Sequence, residues 1–397
     1  MKKNIAIIVL SITVICLAVS LLLHTNQPNT ALVKLNKNNL LSPYKNNEQE
    51  ENTKLNELAI NVKNSPFNAK GDGKQDDTKA IQGAINHASE MGGGSVLLPL
   101  STYKITSTLY VPDNIALIGL SHGKKGSIIQ NEGNGFAIQT TGGHKRVNVE
   151  NVRIELNGRN NGIHLGNVKS KLTNDSIPGE MGLRHITVAG IGKGKIGIKI
   201  SNASHVNMVD VRAGYGAVDN PGGHGLFIYA DKYNSGVIVA YDCTFGRVDA
   251  STVGLEIDGK VNLDTFNFNG CYFGGELPIR IGLNTYVRNV NFVGTHIEAR
   301  DTNRKSPHTK MVELHNVLGG NFIGVSLIGF GERNNRGFVF KGDVEKVNFM
   351  GIEANGVMGA IYANEGAKLK DDSILQEARL TGRSQAVQFK GFDKFGK

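Results

Sequence analysis

At 397 residues and 40% hydrophobic content the chain can bury a large core, and 50 glycines with no tryptophan imply many tight turns between short elements. The net charge of +9 is spread along the sequence with no basic run and no nucleic-acid motif. That excludes nucleic acid as the expected partner and leaves weak attraction to anionic cell-wall or acidic-sugar polymers.

The chain opens with Lys2 and Lys3, followed by an uncharged run at residues 5–23. As a helix this run rises roughly 28 Å, about the hydrocarbon thickness of a bilayer. Ala18 and Ser20 suit a signal-peptidase site, but Leu21 to Leu23 extend the apolar run beyond it, so residues 1–23 read as either a signal anchor or a cleaved signal peptide. Cys16 follows Ile15, where a lipoprotein signal needs a small residue, which argues against lipidation. On both readings the rest of the chain is exported, either tethered to the membrane through residues 5–23 or secreted. Residues 24–56 are rich in Asn, Lys, Glu and Gln and too poor in apolar residues to fold alone, so they read as a disordered linker.

The stretch FNAKGDGKQDDTKAIQGAI, residues 67–85, turns from an acidic loop into a helix. Asp77 or Thr78 suits the N-cap, and Ala80, Ile81, Ala84, Ile85 and Ala88 fall on one helical face until glycine ends the helix at Gly92. Counted from Asp72 as a calcium loop, the sixth and twelfth positions are Asp77 and Gly83, where glycine and glutamate are needed, and the lysine of a phosphate-binding loop is also missing. The aspartates therefore read as loop and cap residues.

From residue 145 onward a pattern of small, apolar, any, apolar recurs. Its first apolar residue falls at positions 163, 198, 226, 255, 279, 312, 338, 361 and 387, a mean spacing of 28. A second alternating run sits between these in each period, as in VRIE at Val152, CTFG at Cys243, CYFG at Cys271 and THIE at Thr295. Alternation at period two buries one face of each strand, and strands this short bury it only by stacking on the next copy, which predicts a coiled parallel β-solenoid. Cys243 over Cys271 then reads as an inward stack of core thiols without a disulfide.

FNAKGDGKQDDTKAIQGAINHA followed by GGGSVLLPLSTYKITSTLYVPDNIALIGLS, about residues 62 to 130, resembles the opening of the pectate-lyase-like superfamily. That superfamily includes rhamnogalacturonase and epimerase-like proteins, glycoside hydrolases and phage tailspike-type depolymerases. One departure is Leu100-Ser101, where the family usually has a glycine in the turn. The resemblance implies an all-β fold: a single-stranded right-handed parallel β-helix over residues 57–397, with an N-terminal capping α-helix at about 78–90; the hydrophobic helix read from residues 5–23 precedes it. It implies carbohydrate chemistry only by association.

GGHGL at Gly222 invites comparison with a polygalacturonase motif, with RIG at Arg280 as a partial echo, but His224 falls in an ordinary repeat slot and the upstream aspartates of that family are absent. Aligning the repeats places outward residues in stripes. The first carries Glu256, Arg280 and Glu313 on three consecutive rungs, with Asp258 and His315 two residues further along. Glu256 and Glu313 would stand two rungs apart, about 9.6 Å, close to the separation of an inverting glycosidase pair; the competing reading is a salt ladder neutralised by Arg280. The second stripe carries His296 and Glu298, with Tyr272 one rung below and Arg300 just beyond, groups suited to taking the C5 proton of a uronic acid. Asp210 and Arg212 point outward three rungs from it, about 14 Å away. Phe227 and Tyr362 offer further outward aromatic faces.

The candidate catalytic residues are thus Glu256, Asp258, Arg280, His296, Glu298 and Glu313, with Tyr272, Arg300 and His315 for substrate binding. The expected function is an exported carbohydrate-active protein cleaving an acidic or complex polysaccharide as a lyase or glycoside hydrolase. The alternatives are a glycan-binding, adhesin-like surface protein without activity, and a phage tailspike-type depolymerase, which would have no use for the apolar N-terminus. Ca²⁺ enters as a cofactor only on the lyase reading.

Overall fold

A computed structural model describes residues 59–141, 146–166, 179–216, 222–233, 235–248, 251–300, 309–330, 335–357, 359–363, 368–369 and 374–381. The N-terminal apolar segment, the linker and the repeat at position 387 lie outside them. Among the described residues no helix is long and apolar enough to cross a membrane.

Two sets of parallel strands wind into a β-solenoid of about nine turns. One set forms a ten-stranded sheet running from Leu109–Val111 to Gly359–Ala363. Its register stacks Ile163, Ile198, Leu226, Leu255, Ile279, Val312, Phe338 and Ile361 in one column, the repeat positions read from the sequence. The other set stacks Phe268, Phe292, Phe322 and Phe349 on successive rungs, with ring centroids 4.9, 4.9 and 5.3 Å apart. These rings are buried, and the offset contacts between them add to the area they remove from water.

A ladder of asparagines stands beside this apolar column. Asn291 donates to Asn267, Asn321 to Asn291 and Asn348 to Asn321, at 2.9, 2.7 and 2.9 Å. Each amide both donates and accepts, so identical residues on successive rungs satisfy one another.

Each rung turns sharply where the backbone enters the left-handed region. One such corner is held by Asn151, His185, Asp210, Asp242, Gly270, Gly294, Gly324 and Gly351, with φ between 48° and 62°. Glycine, asparagine and aspartate tolerate that conformation, and for this reason small residues recur at the period of the coil. Cys243 and Cys271 follow this corner as buried free thiols. Leu100 needs no such conformation, so its turn forms without the expected glycine.

The helix spans Thr78–Glu90 and buries Ile81, Ala84, Ile85 and Ala88 in the common core. Its side-chain amide at Gln82 accepts from the Tyr110 amide at 2.8 Å and donates to the Tyr110 carbonyl at 2.9 Å, so it pairs the backbone of the terminal strand of the ten-stranded sheet. The acidic loop builds this junction. Asp77 occupies the N-cap, but its carboxylate accepts from the Lys70 and Gly71 amides, and Asp76 takes the Thr78 amide instead. Asp72 closes its own turn on the Lys74 and Gln75 amides.

Candidate functional site

The first stripe holds two separate groups of ion pairs, one around Glu256 and one around Glu313. Glu256, Arg280 and Glu313 lie on adjacent strands in direct register. Glu256 accepts from Arg280 Nη2 at 2.8 Å and from His224 Nε2 at 2.6 Å. Glu313 is neutralised by Lys310 and Lys341, each at 2.7 Å, with His315 at 3.5 Å, and not by Arg280. Asp258 accepts from the Asn284 amide and side chain at 2.8 and 2.6 Å. All three carboxylates are buried. Burial opposes their charge, yet His224 and Arg280 hold Glu256 below the usual carboxylate range, and His315 with the two lysines holds Glu313 well below it. A glycosidase acid needs the opposite shift, whereas each of these two glutamates is ion-paired with neighbouring cations.

The second stripe is more open. Tyr272, His296 and Ser326 sit on consecutive rungs, and Glu298 lies directly above Gly274. A side chain at Gly274 would fall 2.7 Å from the Tyr272 hydroxyl, so the glycine leaves the space the phenol occupies. The hydroxyl donates to Glu298 Oε2 at 2.7 Å, and His296 Nε2 meets Glu298 Oε1 at 2.7 Å. The His296 side chain is 38% exposed and Glu298 19%. Arg300 closes the same strand, exposed. With Nε2–H donated to the carboxylate, Nδ1 is the basic atom of the ring, the arrangement in which a carboxylate orients a general base.

A third group was not assembled by the sequence reading. His122, on the loop after the strand Ile115–Gly119, comes against His185 and Asp210 from two adjacent corners. Asp210 Oδ2 lies 3.1 Å from His185 Nδ1 and 3.6 Å from His122 Nε2, while Arg212 binds Oδ1 at 3.0 Å. His185 and Asp210 share one corner column, the signal that would have paired them; His122 comes from a distant loop and is held by Thr187, 65 residues away, with Nδ1 3.1 Å from Oγ1, which no local pattern encodes. Ca²⁺ takes six to eight oxygen ligands, and this group, two imidazoles and one carboxylate, is the wrong donor set for it.

The family profile described as rhamnogalacturonase A/epimerase, pectate lyase-like, matches residues 59–274. The chain belongs to that family. The right-handed parallel β-helix of this rhamnogalacturonase A/epimerase-like protein is therefore its family's fold. Its sequence is similar to alginate lyase 7 of Azotobacter vinelandii, 42% identical over 74 residues, which are 17% of this chain and 8% of that protein. Mannuronan C5-epimerase AlgE3 of the same organism is 38% identical over 74 residues, 17% of this chain and 4% of the epimerase. The match thus spans less than a tenth of either relative's length. Among solved structures, the AlgE6 A-module of A. vinelandii aligns with 82% of this chain and 100% of its own at 17% identity and a TM-score of 0.49. The N-terminal fragment of bacteriophage Phi29 gene product 12 aligns with 87% of this chain and 66% of its own, at 13% identity and a TM-score of 0.56. At 13% identity the likeness to the phage fragment is one of fold alone.

Proposed function

We propose that this family member is an exported enzyme that cleaves an acidic polysaccharide by β-elimination at the centre formed by Tyr272, His296 and Glu298. The observation that carries this reading is the pair of 2.7 Å hydrogen bonds that tie a phenol and an imidazole to the two oxygens of one carboxylate. His296 Nδ1 takes the proton at C5 of a uronate residue, the C4–O bond breaks as the C4–C5 double bond forms, and the Tyr272 hydroxyl protonates the leaving oxygen. Solvent at the partly exposed ring then removes the Nδ1 proton and reprotonates the phenolate, which restores the starting state, while Glu298, bonded to both rings, holds them in place. Arg300, two residues along the strand, offers a cation to the substrate carboxylate. The names of the relatives, an alginate lyase and mannuronan epimerases, support a uronate polymer as substrate class.

Export and a tether or secretion signal belong to the same proposal, on the strength of Lys2, Lys3 and the uncharged run at residues 5–23. A glycan-binding surface protein without activity is the second reading, favoured by the neutralised state of Glu256 and Glu313. The full chain is to be incubated with uronate-containing and neutral polysaccharides while ultraviolet absorbance and reducing ends are followed. Unsaturated ends from a uronate polymer are expected. Reducing ends without unsaturation would replace elimination by hydrolysis, and retention in a polysaccharide affinity gel without cleavage would establish the binding protein.

A further inference from the structure

We propose that His122, His185 and Asp210 form a binding site for a divalent transition-metal cation of the Zn²⁺ class. One ligand atom from each lies within 4.8 Å of the others. A tetrahedral cation holding nitrogen and oxygen at 2.0–2.2 Å needs its ligand atoms about 3.4 Å apart. Asp210 Oδ2 already stands 3.1 Å from His185 Nδ1 and 3.6 Å from His122 Nε2.

Three further features fit a ligand role. His122 Nδ1 lies 3.1 Å from the Thr187 hydroxyl, which orients the ring with Nε2 facing Asp210, the kind of support that metal-binding imidazoles need. Arg212 occupies Oδ1 of Asp210 through both Nε and Nη2, at 3.0 Å each, so only Oδ2 is offered and the carboxylate binds through one oxygen. His185 holds a left-handed corner at φ 50°, where later rungs use glycine, and its side chain is half exposed. An imidazole is retained there at a cost in backbone strain. When the cation enters, the His185 proton now shared with Asp210 moves to Nε2 of the same ring. Two imidazoles and one carboxylate select a borderline-soft cation over Ca²⁺ or Mg²⁺, and the exposed side leaves coordination positions for water or a ligand oxygen. Asp210 lies two rungs from Tyr272 and three from His296, about 10 and 14 Å along the coil, so it shares no residue with that centre.

The test uses the full chain without a histidine tag, stripped with a chelator and titrated with Zn²⁺, with Co²⁺ absorption as a geometry readout. His185→Asn keeps a residue that Asn151 already uses at the same corner, and Thr187→Val removes only the hydroxyl behind His122. We expect the chain to bind one Zn²⁺ more than His185→Asn does, Ca²⁺ in excess not to displace it, and Thr187→Val to lower affinity by about 10- to 100-fold. Equal Zn²⁺ uptake by the wild type and a folded His185→Asn variant would overturn the site, as would displacement by Ca²⁺.

Discussion

Tyr272 and His296 stand on neighbouring rungs with their rings stacked 5.7 Å apart and 16° from parallel, each bonded to a different oxygen of Glu298. Stacking like this is a structural consequence of parallel in-register strands, where side chains at the same slot superpose. The shared carboxylate adds a chemical relationship, because neither ring can move without losing its bond to Glu298.

Tyr272→Phe and Glu298→Gln should therefore reduce kcat on a uronate polymer by about 10²- to 10⁴-fold with an unchanged fold, as loss of a positioned acid or base does. Gly274→Ala should also lower kcat, since its methyl would fall 2.7 Å from the Tyr272 hydroxyl and 2.8 Å from its ring. Steady-state kinetics beside circular dichroism checks both, and full activity in all three variants would reject this centre.

The ion pairs around Glu313 make a different prediction. Glu313 holds Lys310 and Lys341 at 2.7 Å each, and Glu313→Gln leaves two half-buried ammonium groups without their counter-charge. Truncating one partner of a fully buried pair costs about 3–5 kcal/mol; with the lysines partly solvated, we expect about 1–3 kcal/mol, read by urea unfolding at neutral pH. The folded pKa of Glu313 lies below its unfolded value, so this contribution is complete above about pH 4.3 and fades as pH falls toward the folded value. The difference between wild type and variant should shrink in acid. A constant difference down to the acid limit would mean that the loss is not electrostatic.

The coil was legible because two constraints repeat along the sequence: an inward slot that must be apolar, and a corner that must enter the left-handed region. Both leave residue types at a fixed order, and Ile163 to Ile361 stack as that order requires. The helix at Thr78–Glu90 was legible from its apolar face and its N-cap from Asp77, although the Asp77 side chain makes no cap bond and the Thr78 amide goes to Asp76. The site was legible only where partners share a stripe, as Glu256 and Arg280 or His296 and Glu298 do. His224 looked like a filler of its slot, yet it reaches Glu256 one rung above, because an outward side chain leans along the coil axis and alternation records only the face. His122 escaped entirely, since its approach depends on the path of a loop.

A second left-handed bend crosses the larger sheet at His205, Val237, Thr265, Asn289, Gly319 and Lys346. Val237 sits there at φ 53° with 39% of its surface exposed, a β-branched residue in a conformation its branched carbon resists. Val237→Asn places at this bend the residue type found at Asn289 and surrenders little apolar burial. It should raise stability by about 0.5–1 kcal/mol, visible as a higher Tm by calorimetry. An unchanged or lower Tm would show that packing of the valine outweighs the strain.

His164 sets a separate acid limit. Its ring is buried on the ten-stranded sheet beside Phe136, with Nε2 2.7 Å from the Ser201 hydroxyl. Burial, aided by the charge of Lys199 on the next strand, pushes its pKa down to about 3. The unfolded chain, with a histidine near pKa 6.5, therefore binds more protons than the folded one between these values. Stability from this residue is complete above about pH 6.5 and is lost progressively as pH falls toward 3, a window that opens two pH units before that of Glu313. His164→Gln keeps a hydrogen-bonding group toward Ser201 but cannot titrate, so its stability should fall less than that of the wild type between pH 7 and pH 5. Urea midpoints at those two pH values decide the matter, and parallel losses in the two proteins would place the acid sensitivity elsewhere.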